Sequence, residues 1–143
     1  DPEGVGAKNA MQLAINEAGI ELNQVDYINT HGTSTIIGDL AEVKAIQDLF
    51  AEHAYNISLT SSKSMTGHVL GATGAIEAII SVLSMKHSMV TPTINHEKGD
   101  EDPNIDYKLN FTFNQAQPRE INYAMSNNFG FGGHNACLLF KRI

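Results

Sequence analysis

Basic residues are scarce in this chain. Its 143 residues include nine Lys and Arg against 16 Asp and Glu, which gives a formal net charge of -7, and three basic residues never occur in a row. Nucleic-acid backbones are bound by clustered Lys and Arg, so nucleic-acid binding is not expected.

Cysteine and long apolar runs are also scarce. Cys137 is the single cysteine, which excludes a disulfide within the chain and fits a reducing compartment. The longest apolar stretch, residues 75–85, is interrupted by Glu77 and is too short to span a bilayer. The first four residues carry neither the basic start nor the apolar run of a signal peptide. We therefore expect a cytoplasmic protein without a membrane segment.

The length suffices for one domain, residues 1–143, with its own core. The chain has no initiator Met and a helical pattern begins at Ala7, so we expect a piece of a longer protein.

Apolar spacing predicts an α/β layered fold. Helices are predicted at residues 7–18, 40–50 and 71–86, and strands at residues 25–29, 57–59, 122–127 and 136–140. The third helix is apolar on nearly every face, which predicts burial in a layered core. The last two strands form a predicted hairpin, and residues 89–106 a predicted loop.

Three polar segments stand beside these elements: "NTHGTST" at 29–35, "SSKSMTGH" at 61–68 and "SNNFGFGGH" at 126–134. All three follow predicted strands. Ligands bind beyond the carboxyl ends of strands in open α/β sheets, so we expect the three segments to converge there.

Two histidines are candidate functional residues, and each has a structural alternative. His31 is either a turn histidine capped by hydroxyls or a ligand-facing group. His68, at the entrance of the third helix, is either its N-cap or a neutral imidazole held near the positive helix end. Two neutral imidazoles offering N–H groups to one carbonyl oxygen would stabilise an enolate.

Glu77 lies inside the apolar helix, where an ionised carboxylate is costly unless it is paired. Lys63 is the nearest candidate cation in sequence, and Glu42 competes with Glu77 for it. A core ion pair that merely positions the loop remains an open interpretation.

The glycine-rich segment 129–133 predicts a hairpin loop with free backbone N–H groups and two phenylalanines as a hydrophobic flap. Two other segments match known binding motifs only incompletely. Residues 66–74 place the last glycine wrongly for a dinucleotide-binding turn, which leaves a nicotinamide oxidoreductase as a distant alternative. Residues 100–111 lack the glycine and glutamate of a calcium loop.

Taken together, "THGTST", "KSMTGH" and "NNFGFGGHNA" resemble the C-terminal half of the β-ketoacyl-acyl-carrier-protein synthases, the condensing enzymes of fatty-acid synthesis in the thiolase-like superfamily. "GAKNAMQLAINEAGI", "GDLAE" and "TPTIN" extend the resemblance along essentially the whole chain, and the type II elongation synthases are the most similar subtype. The resemblance implies a mixed five-stranded sheet with helices.

The resemblance also implies residue roles in the decarboxylative Claisen condensation of an acyl-enzyme with malonyl-acyl-carrier-protein. His31 and His68 would hold the malonyl thioester oxygen, with Lys63 beside them, Glu77 as its buried partner and Glu42 nearby.

Further roles concern substrate contacts and an ion. The pantetheine arm would contact Thr33 and Thr35. Phe131 would donate a backbone N–H to an oxyanion hole and, with Phe129, gate the acyl pocket through the loop that includes Gly130, Gly132 and Gly133. A structural monovalent cation would lie near Asn29, Glu77, Ser126 and Asn127.

The family's nucleophile is a cysteine in the N-terminal half. Cys137 lies in the last predicted strand and is interpreted as a core residue. The isolated chain is therefore expected to be inactive. The complete protein is expected to need no cofactor, to receive phosphopantetheine substrates on an acyl carrier protein and to form a homodimer. The isolated chain is expected to self-associate through apolar surface.

Two alternatives within this resemblance remain. One is a polyketide-type ketosynthase, and the other is a non-catalytic subunit that binds the carrier or sets chain length. Retention of His31, His68 and Lys63 argues against the second alternative.

Overall fold

The structure, a computed structural model, describes residues 2–143. Asp1, the first residue of the predicted domain, lies outside the described residues. Four helices occur along this part of the chain: α1 (Val5–Ala18), α2 (Ile36–Phe50), α3 (Lys63–Thr66) and α4 (Thr73–His87). Seven strands accompany them: β1 (Tyr27–Asn29), β2 (Ser58–Thr60), β3 (Met89–Val90), β4 (Asn110–Phe111), β5 (Gln117–Pro118), β6 (Tyr123–Gly130) and β7 (His134–Lys141). Short 3₁₀ turns lie at Leu22–Gln24, Ala51–Asn56 and Leu70–Ala72.

Five strands form a mixed sheet in the order β4-β2-β1-β6-β7. The pairs β4–β2, β2–β1 and β1–β6 are parallel, and β6–β7 is an antiparallel hairpin. The implied mixed five-stranded sheet is therefore confirmed. β3 and β5 form a separate antiparallel pair. The fifth strand of the main sheet is β4, a two-residue strand that the apolar spacing did not predict.

α1 follows directly from its sequence. Ala7, Met11 and Ile15 recur every four residues and form its buried face. The helix ends at Gly19, whose φ of 65° is a left-handed conformation that glycine adopts without a steric cost. The predicted helix at 7–18 is confirmed, with two further residues at its start.

The two faces of the main sheet are covered differently. α1 and α2 cover one face, where the larger apolar core includes Met11, Ile28, Ile46 and Met125. α4 covers the other face, where the smaller apolar cluster centres on Tyr27. The three layers place the sheet in the middle and bring β1 to its centre.

The prediction that the third helix is buried is wrong for one of its faces. α4 buries Thr73, Glu77, Ser81, Ser84 and Met85 against the sheet. Its apolar side chains face outward, since Ile79, Val82 and Leu83 are 59%, 46% and 45% exposed. Apolar content on every face indicated burial, but in this chain just one side of the helix has a layer to pack against.

Other differences concern element ends and short segments. α2 begins at Ile36 rather than at 40, and both hairpin strands are longer than predicted. α3, β3 and β5 are too short, at four residues or fewer, to give a periodic signal. No helix within residues 2–143 has the length and apolar content needed to cross a bilayer.

Candidate active site

The three polar segments converge at one edge of the sheet, as predicted. β1, β2 and β6 are neighbouring parallel strands, so their carboxyl ends lie side by side. His31 follows β1, and its ring centroid lies 5.7 Å from that of His68 and 5.5 Å from that of Phe129. The His31 and His68 rings meet edge to face, at 89°.

His31 is held neutral by its surroundings. Burial is the main cause that lowers the pKa of its ring to about 4, and the charges of Lys63 and His68 lower it further. Its Nδ1 atom is buried and has no hydrogen-bond partner among the residues that the structure describes. At neutral pH the ring therefore carries one N–H donor and no charge.

The hydrogen bonds of His68 indicate its tautomer. The backbone N–H of Leu70 lies 3.2 Å from Nδ1, and the Thr73 hydroxyl lies 3.1 Å from the same atom. A backbone N–H can only donate, so Nδ1 accepts and the proton of the neutral ring lies on Nε2. The N-cap of α4 is Ala72, which excludes the N-cap alternative for His68.

Lys63 and Glu77 form a buried ion pair beneath the histidines. The Lys63 Nζ donates to Glu77 Oε1 at 2.5 Å, and the two side chains are 5% and 0% exposed. Burial raises the pKa of the Glu77 carboxyl, and the hydrogen bond and charge of Lys63 oppose that rise. Of the two carboxylates that sequence reasoning considered for Lys63, Glu77 is the one in contact.

Glu42 instead binds the backbone of the turn at residues 31–35, the histidine turn, which connects β1 to α2. Its Oε1 accepts the N–H of His31 and its Oε2 the N–H of Gly32, both at 2.9 Å. The Asn127 amide donates to Oε1 at 3.1 Å. Burial raises the pKa of Glu42, and these three hydrogen bonds oppose the rise. Glu42 thus fixes the position of His31 without contacting its ring.

Three of the four residues predicted around a cation lie on one face of the sheet. Asn29 on β1 is in register with Ser126 on β6, and Glu77 lies above them on α4. Glu77 Oε2 and Ser126 Oγ are buried without a hydrogen-bond partner within residues 2–143. Amide, hydroxyl and carboxylate oxygens suit a hard cation, so these residues fit the predicted ion.

The fourth residue lies elsewhere. Side chains alternate along a strand, so Asn127 points to the opposite face from Ser126. There its amide contacts Glu42 and the Met11 sulfur. Its side chain is thereby removed from the predicted cation cluster. Within residues 2–143, no group of three or more His, Cys, Asp or Glu could hold a metal ion.

A cavity of about 570 Å³ opens beside the histidines. Thr33, Thr35, Lys63 and His68 line its inner wall, and the hydroxyls of Thr33 and Thr35 lie 3.1 Å apart. The outer wall comes from residues 93–113, which include three aromatic rings, those of Tyr107, Phe111 and Phe113.

Sequence reasoning missed this outer wall. Tyr107, Leu109, Phe111 and Phe113 alternate with polar residues, a two-residue period that predicts a strand with one apolar side. That signal was available in "YKLNFTFN". The ring of His96 also stacks on that of Phe113, with centroids 3.9 Å apart.

The glycine-rich loop places its two phenylalanines differently. Phe129 lies against His31, whereas the Phe131 side chain is fully exposed at the tip of the hairpin. Gly132 and Gly133 have φ values of 82° and 83°, so the tip requires conformations that other residues rarely adopt. Gly130 ends β6 and pairs with His134.

Cys137 lies on β7 and packs against the larger core, as predicted. Burial, with a smaller effect of the Glu42 charge, raises the pKa of its thiol to about 12. The thiol is therefore protonated at neutral pH and cannot act as a nucleophile.

The arrangement of these side chains suits the stabilisation of a developing negative charge. Two imidazole rings meet edge to face, and the His68 ring lines the cavity together with the buried, internally paired ammonium group of Lys63. Hydrogen-bond donors fixed in a site of low dielectric constant stabilise an oxyanion that develops on a bound carbonyl group.

Comparisons with known proteins agree with the resemblance. Residues 1–97 match the family described as β-ketoacyl synthase, C-terminal domain. The chain is 55% identical over 142 residues to 3-oxoacyl-[acyl-carrier-protein] synthase 2 of Staphylococcus aureus (strain COL), a match that covers 99% of this chain and 33% of that protein.

Two solved structures are similar along nearly the whole chain. One is a ketosynthase bound to the hexaketide, in complex with its type II polyketide acyl-carrier protein; the TM-score is 0.93 at 32% identity, and the match covers 100% of this chain and 34% of that one. The other is a β-ketoacyl synthase from Burkholderia phymatum STM815, with a TM-score of 0.86 at 40% identity, covering 95% and 32% of the two chains. The chain therefore spans about a third of the length of the relatives that it matches.

Proposed function

The chain belongs to the β-ketoacyl synthase C-terminal domain family, and from that membership we propose that it is the C-terminal part of an elongating 3-oxoacyl-[acyl-carrier-protein] synthase. The complete protein would condense an acyl-enzyme with malonyl-acyl-carrier-protein and release carbon dioxide. The observation that carries the proposal is the edge-to-face contact of His31 and His68 above the buried Lys63–Glu77 pair.

The two histidines would stabilise the enolate. The carbon–carbon bond to the malonyl carboxylate breaks, carbon dioxide leaves, and the electron pair passes to the thioester as an enolate. N–H groups of His31 and His68 would donate to the enolate oxygen. A pKa of about 4 keeps His31 an uncharged donor at neutral pH.

Lys63 would contribute charge without taking part as a base. Its ammonium group is paired with Glu77 and lies 5% exposed beneath the rings. The positive charge lowers the pKa of His31 and favours an anion nearby. A dry site also protects the enolate from protonation by water.

Substrate would enter through the cavity. Thr33 and Thr35 line it and would contact the pantetheine arm, while the aromatic outer wall would cover the arm from solvent. The enolate carbon would then attack the carbonyl carbon of an acyl thioester on a cysteine outside this chain; the new carbon–carbon bond forms, the C–S bond breaks and the cysteine thiolate leaves. Cys137 does not fit this role, because its thiol is protonated and packs against the core. The Phe131 backbone N–H would assist as an oxyanion donor.

Asn29, Glu77 and Ser126 would hold the structural cation. When bound, the ion would supply positive charge that keeps Glu77 ionised and ties α4 to the sheet. No cofactor is proposed for the reaction. We further propose acyl carrier protein as partner, a homodimeric complete enzyme and a cytoplasmic location; the similar ketosynthase in complex with its acyl-carrier protein supports the first of these.

A polyketide ketosynthase is the second candidate, because the ketosynthase of the polyketide complex has a TM-score of 0.93. The fatty-acid assignment is preferred, since identity is 55% to the elongating synthase and 32% to the polyketide enzyme. A non-catalytic subunit would have no need of both histidines together with the buried lysine.

The test uses the full-length protein that contains this chain. Acyl-carrier and malonyl-carrier thioesters are supplied, and carbon dioxide and 3-oxoacyl product are followed. We expect product from the unmodified protein and its loss in His31→Ala and in His68→Ala. His87→Ala, at the exposed end of α4, is the matched control and should keep full activity. Carrier binding without product in the unmodified protein would contradict the proposal and favour the non-catalytic subunit.

A further inference from the structure

The histidine turn is fixed at Gly32 through both of that residue's backbone polar groups. The Gly32 N–H donates to Glu42 Oε2 at 2.9 Å, and the Gly32 carbonyl oxygen accepts the Ser61 hydroxyl at 2.6 Å. Gly32 has a φ of 30°, and a Cβ atom at this position would lie 2.6 Å from Thr30 Oγ1 and 2.8 Å from Ser61 Cβ. Glycine is therefore required here, because it lets the turn approach Ser61 closely at a positive φ.

Ser61 also bonds the outer wall of the cavity. Its backbone N–H donates to Thr93 Oγ1 at 2.8 Å. Thr93 is in turn paired within the outer wall: its N–H donates to the Thr112 carbonyl and its own carbonyl accepts the Asn114 N–H, both at 2.8 Å. These two partners flank Phe113, whose ring lines the cavity. Ser61 thus connects the histidine turn to the aromatic outer wall.

Ser64 makes a second connection to the outer wall. Its hydroxyl accepts the N–H of Ile94 at 2.9 Å and donates to the Ser61 carbonyl at 3.0 Å. Ser64 lies on α3 directly after Lys63, and like Ser61 and Ile94 it lines the cavity. The two walls of the cavity are therefore joined at residues 61–64.

A local role for the Ser61 hydroxyl, as a cap of α3, does not fit the geometry. The N-cap of α3 is Ser62, and no side-chain hydrogen bond caps this helix. The Ser61 hydroxyl donates instead to Gly32, which lies 29 positions away in the chain. The hydroxyl therefore acts between two elements and not within its own helix.

We propose that Ser61 is a positioning residue, which holds the histidine turn and the outer wall of the cavity at a fixed separation, with Ser64 as a second link to the outer wall. His31 directly precedes Gly32 and Thr33 directly follows it, so the bond to Gly32 restrains both neighbours. The effect on catalysis rests on the proposed function, because that function assigns His31 to the enolate and the outer wall to the substrate arm.

Amide hydrogen exchange on the full-length protein tests the two links separately. Ser61→Ala removes the bond to the Gly32 carbonyl and keeps the backbone N–H of residue 61. We expect the Gly32 N–H to exchange roughly 2- to 10-fold faster, the range for one neutral hydrogen bond, although its acceptor Glu42 is unchanged. Ser64→Ala should have the same effect at the Ile94 N–H and should leave Gly32 protected.

Ser88→Ala is the matched control. Ser88 is partly exposed like Ser61, and its hydroxyl likewise bonds a residue remote in sequence, Arg142 at 3.1 Å. This variant should change exchange at neither Gly32 nor Ile94. Unchanged exchange at Gly32 in Ser61→Ala, or equal acceleration at Gly32 in the Ser61 and Ser88 variants, would overturn the positioning role.

Steady-state kinetics separate positioning from a merely structural role. Ser61→Ala acts on the turn that carries His31, so we expect kcat to fall about tenfold with a small change in KM for malonyl-carrier. Ser64→Ala acts on the outer wall, so we expect KM to rise about threefold with kcat nearly unchanged. Equal losses of kcat in the two variants, or an unchanged kcat in Ser61→Ala, would overturn the proposal.

A conservative variant completes the test. Ser61→Cys keeps a weak donor at this position and should recover part of the kcat that Ser61→Ala loses. An inactive unmodified protein would contradict the proposed function. The exchange results at Gly32 and Ile94 do not depend on turnover, so they would still decide whether the two serines hold the turn and the outer wall.

Discussion

The two faces of the central sheet make different kinds of contact with the helices that cover them. Beneath α1 and α2 the contacts are apolar, with Met11, Ile28 and Ile46 fully buried. Beneath α4 the smaller apolar cluster is joined by buried polar contacts: Tyr27 shares a hydrogen bond with Thr60 at 2.9 Å, and Glu77 pairs with Lys63. α4 is inverted relative to an ordinary surface helix, since its apolar side faces outward.

One face of the sheet mainly stabilises the fold, and the other face carries charged groups of the candidate site. Apolar burial of the α1 and α2 side stabilises the fold. Burying polar and charged groups on the other side costs desolvation, and its Lys63 lines the same cavity as His68. Buried polar and charged groups of this kind are concentrated at functional sites, where residues are retained for function although they do not favour folding.

The largest expected effect comes from breaking the ion pair on the polar face. Glu77→Leu leaves the Lys63 ammonium buried and unpaired, which should lower the free energy of unfolding by about 3–5 kcal/mol. The double variant Lys63→Met/Glu77→Leu should recover most of this loss and still lack activity. Urea unfolding of the full-length protein gives the free energies. A double variant no more stable than Glu77→Leu would show that the pair is not the origin of the loss.

The next prediction compares one buried position on each face. Ile46→Ala, beneath α2, should cost about 2–5 kcal/mol through lost apolar burial and a cavity. Ser81→Ala, equally buried beneath α4, should change stability by less than about 1 kcal/mol, because its hydroxyl bonds just the Glu77 carbonyl within its own helix. Unfolding midpoints of the two variants provide the measurement, and equal losses would contradict the comparison.

A third prediction concerns the outward side of α4. Exposed Ile79, Val82 and Leu83 form an apolar surface together with Phe140, so the isolated chain should self-associate as its concentration rises. Ile79→Glu/Leu83→Lys adds a favourable i, i+4 pair and should shift the chain toward monomer. Leu13→Lys, at an exposed apolar position on α1, is the control and should leave association unchanged. Size-exclusion chromatography across concentrations reports the state, and a monomer throughout for the unmodified chain would contradict the prediction.

The smallest expected effect is a pKa shift in His31. Burial is the larger cause of its low pKa and the Lys63 charge the smaller, so Lys63→Met/Glu77→Leu should raise the pKa above about 4 but keep it below the ordinary 6.5. NMR titration of the ring protons measures it. A pKa of 6.5 or higher would show that burial is not the main cause.

The same shift predicts a pH dependence of stability. The unfolded chain binds this proton as the pH falls below about 6.5, whereas folded His31 binds it near pH 4. Stability is therefore expected to fall on acidification through that window.

Sequence reasoning reached the main helices, the hairpin and the convergence of the three polar segments. These follow from periodicity and from the rule that parallel strands end at one edge. It did not reach α3, because a helix of four residues carries no helical period. It also missed the aromatic outer wall, although the alternation from Tyr107 to Phe113 was present.

For the site itself, residue types alone left several questions open. From the residue pattern, Glu42 competed with Glu77 as the partner of Lys63; the resemblance implied Glu77, and both carboxylates are buried. The resemblance placed Asn127 with Ser126 around the cation, although adjacent strand residues point to opposite faces.

By itself, the sequence determined the chemistry that is present: two histidines, a lysine and two carboxylates next to glycine-rich turns. It also determined the family, through motifs that stand in a fixed order. The resemblance carried by those motifs also implied Glu77 as the partner of Lys63. The tertiary structure alone decided that Glu42 holds the histidine turn and which side of α4 meets the sheet. The physical reason is that pairing and burial depend on distances between elements. Lys63 meets Glu77 only because α3, which follows β2, comes to lie against α4.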